Sequence, residues 1–484
     1  MKFMDLVLWF FKNILFINFF LAILIVFFER RNPTSVWAWL LILFFIPGVG
    51  FILYLFFGQD LRRKKMFKEK EVEDDVQKRI YMQQHNVSGK EFESLHPQLD
   101  SFRDMVHFHV KSNNAFFSSN NRVQILVDGD EKFKKLKQSI KNAKKYIHME
   151  YYIIRNDALG KEIVELLAKK ATEGVEVKLL YDGMGCIWLP RKFFNPIVKA
   201  GGQVSAFFPP FIPYINLRMN FRNHRKICIV DGQEGFVGGL NIGIEYLGLS
   251  KKFGHWRDTH LYIQGNSVDG LQERFILDWN FSSIQNKIID RKPYFPSKPQ
   301  VGKTGIQIVS SGPDSKWHGI KNGFLKMIME AEKNIYIQTP YFVPDDSILE
   351  SLKVAALSGV DVRVMIPNKP DHIFVYWASL SYVAELLQAG ARCYTYEEGF
   401  IHCKTMMVDG KVNTIGTANM DIRSFKLNFE VNAFVYDPKV TQKLEEIFLN
   451  DIKNSEEITM ESYSKRSYWI RFKESISRLL SPIL

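Results

Sequence analysis

At 484 residues the chain exceeds what one ordinary hydrophobic core can organise, so two or three domains are expected. Hydrophobic residues at 46% and aromatics at 14% are ample for globular cores and point to a membrane part as well. A formal net charge of +12 suits an anionic partner, either nucleic acid or a membrane surface rich in acidic lipid, and leaves that choice open.

In chain order, Leu6 to Phe28 is apolar except for Lys12, Asn13 and Asn18, and Val36 to Phe57 is a run of 22 residues without a charged side chain. Each is long enough to cross a bilayer as a helix. Glu29-Arg30-Arg31 follows the first run where a signal peptide would carry a small-residue cleavage site, so the pair reads as a transmembrane hairpin over residues 1–60. LRRKKMFKEK follows, with six basic residues and one acid, and by the positive-inside rule the long remainder is cytoplasmic. Cys186, Cys228, Cys393 and Cys403 lack metal spacing or a paired framework and fit that compartment as reduced thiols. Residues 61–120 read as a basic, polar linker, in which His107 and His109 are expected at the surface rather than on a metal.

Beyond the linker the chain repeats itself. AKKYIHMEYYII from Ala143 resembles AEKNIYIQTPYFV from Ala331, each the end of a charged amphipathic segment running into a strand. GKEIVELLAKKATEGVEVKLLYD is matched by DSILESLKVAALSGVDVRVMIPN: a helix, a turn glycine (Gly174, Gly359) and a β-branched strand. This is βαβ grammar, which predicts an α/β fold with a mainly parallel sheet in two copies, residues 121–295 and 296–460. The first copy carries an insertion, FPPFIPYINLRMNFR, placed to wall or cover a site.

NHRKICIVDGQEGFVGGLNIG, from Asn223, returns as IHCKTMMVDGKVNTIGTANMD, from Ile401. One offset of 178 residues pairs His224 with His402, Lys226 with Lys404, Asp231 with Asp409 and Asn241 with Asn419. Side chains alternate along a strand, so each histidine shares a face with its lysine. Asp231, an odd number of residues from His224, is expected to point away and to serve the turn. Two histidines, two lysines and two asparagines facing one another about a pseudo-twofold axis form a site for phosphoryl chemistry. One imidazole attacks phosphorus, the other protonates the leaving alkoxide, and the lysines and asparagines surround the non-bridging oxygens. Such a site requires no metal and no cofactor.

The doubled H-x-K-x4-D, followed by G-G-L-N and G-T-A-N, resembles the paired signature of the phospholipase D superfamily. With ERRNP, WRDTHL, SGPDS and TPYFVPDD, the chain is similar to the superfamily's bacterial cardiolipin synthases. The resemblance implies two phospholipase D-like domains and a catalytic set of His224, Lys226, Asp231, His402, Lys404 and Asp409. It implies exchange of a phosphatidyl group between two phosphatidylglycerol molecules, at an anionic membrane and without nucleic acid. A phospholipase D-type hydrolase or membrane-anchored nuclease is the alternative. It also implies an acid that orients each histidine, for which Asp258 is expected beside His224 and Glu430 beside His402.

The tail, residues 461–484, places Trp469, Phe472, Ile476, Leu479 and Ile483 along one helical face, with Lys465, Arg466, Arg471, Lys473 and Arg478 around it. This basic amphipathic helix either closes the second domain's core or lies on a membrane surface.

Overall fold

The computed structural model describes residues 97–209 and 220–481, together with Asn13, Phe16, 18–23, Val26, 33–46, 48–50, Tyr54 and Lys70. Among them two sheets repeat one strand order. The seven-stranded sheet runs Asn121–Val127, Thr259–Gly265, Glu234–Gly238, Lys226–Val230, Tyr146–Tyr151, Glu176–Asp182, Gln203–Phe207. In the ten-stranded sheet the equivalent succession is Gly305–Ser311, Asn428–Tyr436, Val412–Gly416, Thr405–Val408, Asn334–Gln338, Asp361–Pro367, Arg392–Tyr396.

Neither sheet is mainly parallel, which corrects the sequence-based expectation. Parallel pairing joins Tyr146–Tyr151 to Glu176–Asp182 and on to Gln203–Phe207, where helices make the crossovers, and likewise in the second copy. The chain then returns through the motif strand and an Asp-Gly hairpin, and a hairpin forces antiparallel pairing. Asp231 and Gly232 have φ of 53° and 65°, Asp409 and Gly410 of 56° and 62°, so both hairpins turn through the left-handed region that aspartate tolerates and glycine favours.

The sheets meet face to face. Alternate residues of the motif strands, Ile227 and Ile229 in one copy and Met407 in the other, enter a central cluster with Leu261, Ile263, Ile415 and Val431. The helices Val268–Ser282 and Pro438–Ile452 pack into the same layer through Phe275, Trp279, Leu444 and Phe448. Outer helices cover the other faces: Asp128–Asn142 and Ala158–Thr172 on the first sheet, Gly319–Met329, Asp346–Leu357 and Ile373–Gln388 on the second. Two buried sheets fix both motif ends in one rigid frame.

Part of the expected linker belongs to the second copy instead. Pro97–Phe102 and the helix Arg103–Asn113 bury Leu99, Phe102, Met105 and Val106 in the second sheet's outer core, and Phe117–Ser118 pairs with Gly305–Ser311. His109, expected at the surface, is fully buried with its ring 4.6 Å from Phe434, and burial lowers it to about 3. The apolar residues of this segment were too sparse to announce a helix whose partners, Ile320, Phe324 and Phe434, lie far away in sequence.

The apolar N-terminal runs and most of the insertion before His224 lie largely outside the described residues. Among those described, no helix is long and apolar enough to cross a membrane. The helix Pro33–Phe45 carries exposed Trp37, Leu41, Phe44 and Phe45, and the buried Asn18 amide donates to the Leu43 carbonyl at 2.7 Å. The two apolar runs therefore touch. The four cysteines are buried and unpaired.

Candidate active site

Each motif histidine is held by the other copy. Arg222–Asn223 pairs in parallel with Asn428–Phe429, and the His224 N–H donates to the Phe429 carbonyl at 2.9 Å. Reciprocally, Gly399–Ile401 pairs with His255–Arg257, and the His402 N–H donates to the Arg257 carbonyl at 2.7 Å. The residue after each of those carbonyls is the acid. Hence His224 Nδ1 lies 3.0 Å from both carboxylate oxygens of Glu430, and His402 Nδ1 lies 2.8 Å from Asp258 Oδ2. The partners expected from sequence are exchanged, because the short strands that bring acid and imidazole together pair between copies and not within them. With Nδ1 engaged by an acid, each ring keeps Nε2 for chemistry.

The lysines follow the histidines closely. Lys226 Nζ donates to the His224 carbonyl at 2.7 Å, and Lys404 Nζ to the His402 carbonyl at 2.6 Å. Burial pushes Lys226 down to about 7, against the pull of Glu430 and helped by repulsion from Lys404, and it pushes Lys404 down to about 8. Burial also lowers His224 to about 4 and holds His402 well below the usual imidazole range, the latter helped by Lys404 and Lys226. Four cationic or potentially cationic groups out of water form an incomplete electrostatic set that an anion completes.

The two acids differ. Burial alone would raise Glu430, but His224, Lys226 and the Thr417 hydroxyl, donating at 2.6 Å, hold it below the ordinary carboxylate value. Asp258 is pushed up to about 7 by burial, against Lys404 and a 2.7 Å bond from the Thr259 N–H. The difference is written in the motifs. Where the second copy has Thr417 the first has Gly239, and a Cβ there would stand 2.2 Å from Asp258 Oδ1. A threonine with a glutamate, and a glycine with an aspartate, are complementary solutions at equivalent positions.

Asp231 and Asp409 stand apart from this cluster. Asp231 accepts from the N–H groups of Lys144, Lys145 and Tyr146 at 2.8, 2.7 and 2.9 Å, and Asp409 from those of Glu332, Lys333 and Asn334 at 2.9, 2.8 and 3.0 Å. Each pins the entry to the neighbouring strand from the end of the motif strand remote from the histidine. Asn241 accepts from the Ile153 N–H at 3.1 Å and donates to the Tyr246 hydroxyl at 3.2 Å, whereas Asn419 Oδ1 is buried without a hydrogen-bond partner among the described residues.

Several positioning groups were not read from sequence. Tyr152 meets His224 edge-on at 4.9 Å and lies under Lys226, and Trp256 packs 5.2 Å from His402. Arg225 bridges the Glu430 carbonyl and Asp278, and Arg257 binds Asp451. Thr417 had a signal in the departure of G-T-A-N from G-G-L-N, and Trp256 and Arg257 had one in WRDTHL.

The chain matches a family profile described as cardiolipin synthase, PLD-like domain, over residues 136–253 and 324–452, and one described as phospholipase D-nuclease N-terminal over residues 16–59. It is 52% identical over 472 residues to a cardiolipin synthase of Listeria monocytogenes serotype 4a, covering 97% of this chain and 98% of that protein. It is 50% identical over 469 residues to the major cardiolipin synthase ClsA of Bacillus subtilis, covering 97% of each. The crystal structure of a phosphatidylserine synthase from Haemophilus influenzae shares the fold, with a TM-score of 0.60 at 15% identity over 79% of this chain and 100% of that one.

Proposed function

The chain belongs to the cardiolipin synthase family with phospholipase D-like domains, and from that premise we propose that it transfers a phosphatidyl group from one phosphatidylglycerol to another, giving cardiolipin and glycerol. His224 is the nucleophile. Glu430, held ionised, keeps the proton on Nδ1 and leaves the Nε2 lone pair to form the bond to phosphorus. His402 is the acid. With Asp258 near neutrality, the Asp258–His402 pair carries a proton that Nε2 delivers to the glycerol oxygen as its bond to phosphorus breaks. The resulting phosphohistidine conserves the phosphodiester's energy, so no nucleotide is needed. In the second half a hydroxyl of another phosphatidylglycerol gives its proton to His402 and its oxygen to phosphorus, and His224 departs.

Lys226 and Lys404 stabilise the non-bridging oxygens, and the side-chain amide N–H groups of Asn419 are the donors for the second lobe of that cradle. Asn241 acts through its hold on the Ile153 backbone, next to Tyr152. Asp231 and Asp409 set strand position. The apolar N-terminal runs form a membrane hairpin, supported by the Asn18–Leu43 contact, with the catalytic halves on the cytoplasmic side.

The observation that carries the reading is the pair of imidazoles, each backed by a buried carboxylate from the other copy. Its test is rapid quenching of protein mixed with phosphatidylglycerol labelled in the phosphate. Acid-labile label on a peptide containing His224 is expected, absent in His224→Ala and retained in His402→Ala when a phosphatidyl donor with a good leaving group is used. Label on His402 instead would reverse the roles.

A further inference from the structure

The last helix, Tyr468–Leu479, is inside out for a terminal helix that closes a core. It packs on the helix Ile373–Gln388 with its polar side: Glu474 and Ser477 are 4% and 1% exposed, and Glu474 is paired with Arg466. Its apolar side faces outward, with Trp469 67%, Phe472 54%, Ile476 40% and Leu479 77% exposed. At about 100° per residue this outer stripe lies diametrically opposite Glu474 and Ser477. Trp469 and Phe472 stack at 5.4 Å, which makes one broad aromatic surface of two side chains.

Charge narrows what can cover that surface. Arg471 and Lys473 fall on the two flanks of the stripe, and neither has a carboxylate partner among the described residues. Glu474, the one acid of this helix, is turned inward. A second copy of the chain would bring two such cationic rims together, on a protein of formal net charge +12. An anionic lipid surface accepts both features at once: aromatic and aliphatic side chains enter the interface, and the flanking cations meet headgroups.

The stripe also leads to the catalytic mouth. Lys473 Nζ lies 5.3 Å from the ring of Trp377, on the helix whose first turn exposes Ile373 and Phe374. Asp371, just before that turn, lines a cleft with Phe400, and the Phe400 ring is 6.1 Å from His402.

We propose that the outer face of the Tyr468–Leu479 helix, together with Ile373 and Phe374, is a docking surface for an anionic lipid bilayer that sets the active-site mouth against the membrane. The purpose of this contact rests on the lipid-exchange reading above; the contact itself does not. The four native cysteines are buried, so a fluorophore can be attached to Phe472→Cys in the full chain, with Glu446→Cys as the exposed comparison site.

In vesicles containing phosphatidylglycerol, label at 472 is expected to be quenched several-fold more by a lipid-borne quencher than by aqueous iodide, with the reverse at 446. Arg471→Glu with Lys473→Glu is expected to return site 472 to iodide. Equal iodide access at 472 and 446 would overturn the proposal. So would shielding at 472 that persists in detergent together with 472-to-472 crosslinking, which would assign the face to a second copy. Because quenching reports position and not turnover, a shielded helix on a chain that makes no cardiolipin would retain this surface and reject the enzymatic reading.

Discussion

Replacing Glu430 with glutamine isolates the exchanged pairing of acid and imidazole. The amide keeps the shape of the side chain but removes the charge that sits 3.0 Å from His224 Nδ1 and 2.6 Å from the Thr417 hydroxyl. A hydrogen bond involving a charged group contributes about 1.5–3 kcal/mol. At about 1.4 kcal/mol per factor of ten, phosphorylation of His224 is expected to slow by about 10- to 150-fold. Thr417→Val acts on the same carboxylate, so in combination with Glu430→Gln it should add little, since both losses pass through one group. The assay is rapid-quench formation of the phosphorylated protein, with resolution of the intermediate by acceptor lipid followed separately. If Glu430→Gln left His224 phosphorylation within about twofold of the unaltered protein while slowing only resolution, the carboxylate would be serving His402, and the structural pairing would have no chemical meaning.

Four further outcomes follow from the geometry. Lys226 and Lys404, lowered to about 7 and 8, lose their charge as pH rises through those values, and Asp258, raised to about 7, loses its proton in the same range. All three changes remove protons that the first half-reaction uses, so kcat/KM should fall above neutrality with a slope steeper than one proton; a flat profile to pH 9 would contradict it. Asp409→Ala, which strips the cap from three backbone N–H groups, should cost about 2–3 kcal/mol in a denaturant titration while kcat per folded molecule stays near normal. Gly239→Ala, whose Cβ would stand 2.2 Å from Asp258 Oδ1, should lower kcat per folded molecule at least as far as Asp258→Asn, with some loss of stability in a denaturant titration. Activity should persist in excess chelator, because the buried lysines supply the charge that a metal otherwise would; loss on chelation and recovery with a divalent ion would count against the mechanism.

The duplication was in full view in the sequence, because a polar pattern repeated in register at an offset of 178 residues is a one-dimensional signal. The odd spacing of Asp231 from His224 indicated a structural role away from the His/Lys face; that its partners are the backbone N–H groups at the entry to the neighbouring strand was not in the spacing. Sheet direction was less legible. β-Branched runs have the same composition in parallel and antiparallel sheets, and the Asp-Gly steps were the sign that the motif strands turn back. The assignment of Glu430 to His224 was not legible at all. It depends on two short parallel pairings, Arg222–Asn223 with Asn428–Phe429 and Gly399–Ile401 with His255–Arg257, that exist only when the copies dock. The helix Arg103–Asn113 escaped for the same reason: its buried face is defined by Phe434 and the Gly319–Met329 helix, not by its neighbours in sequence.

The central claim is that two copies of one motif exchange phosphodiesters at a single site, and the most direct measurement is the product balance. Purified full-length protein is incubated with phosphatidylglycerol alone, and cardiolipin, phosphatidic acid and free glycerol are quantified together. Cardiolipin and glycerol should appear in equal amounts, with little phosphatidic acid, and both should vanish in His224→Ala. Phosphatidic acid matching the glycerol released, without cardiolipin, would show that water resolves the intermediate and that the chain is a hydrolase.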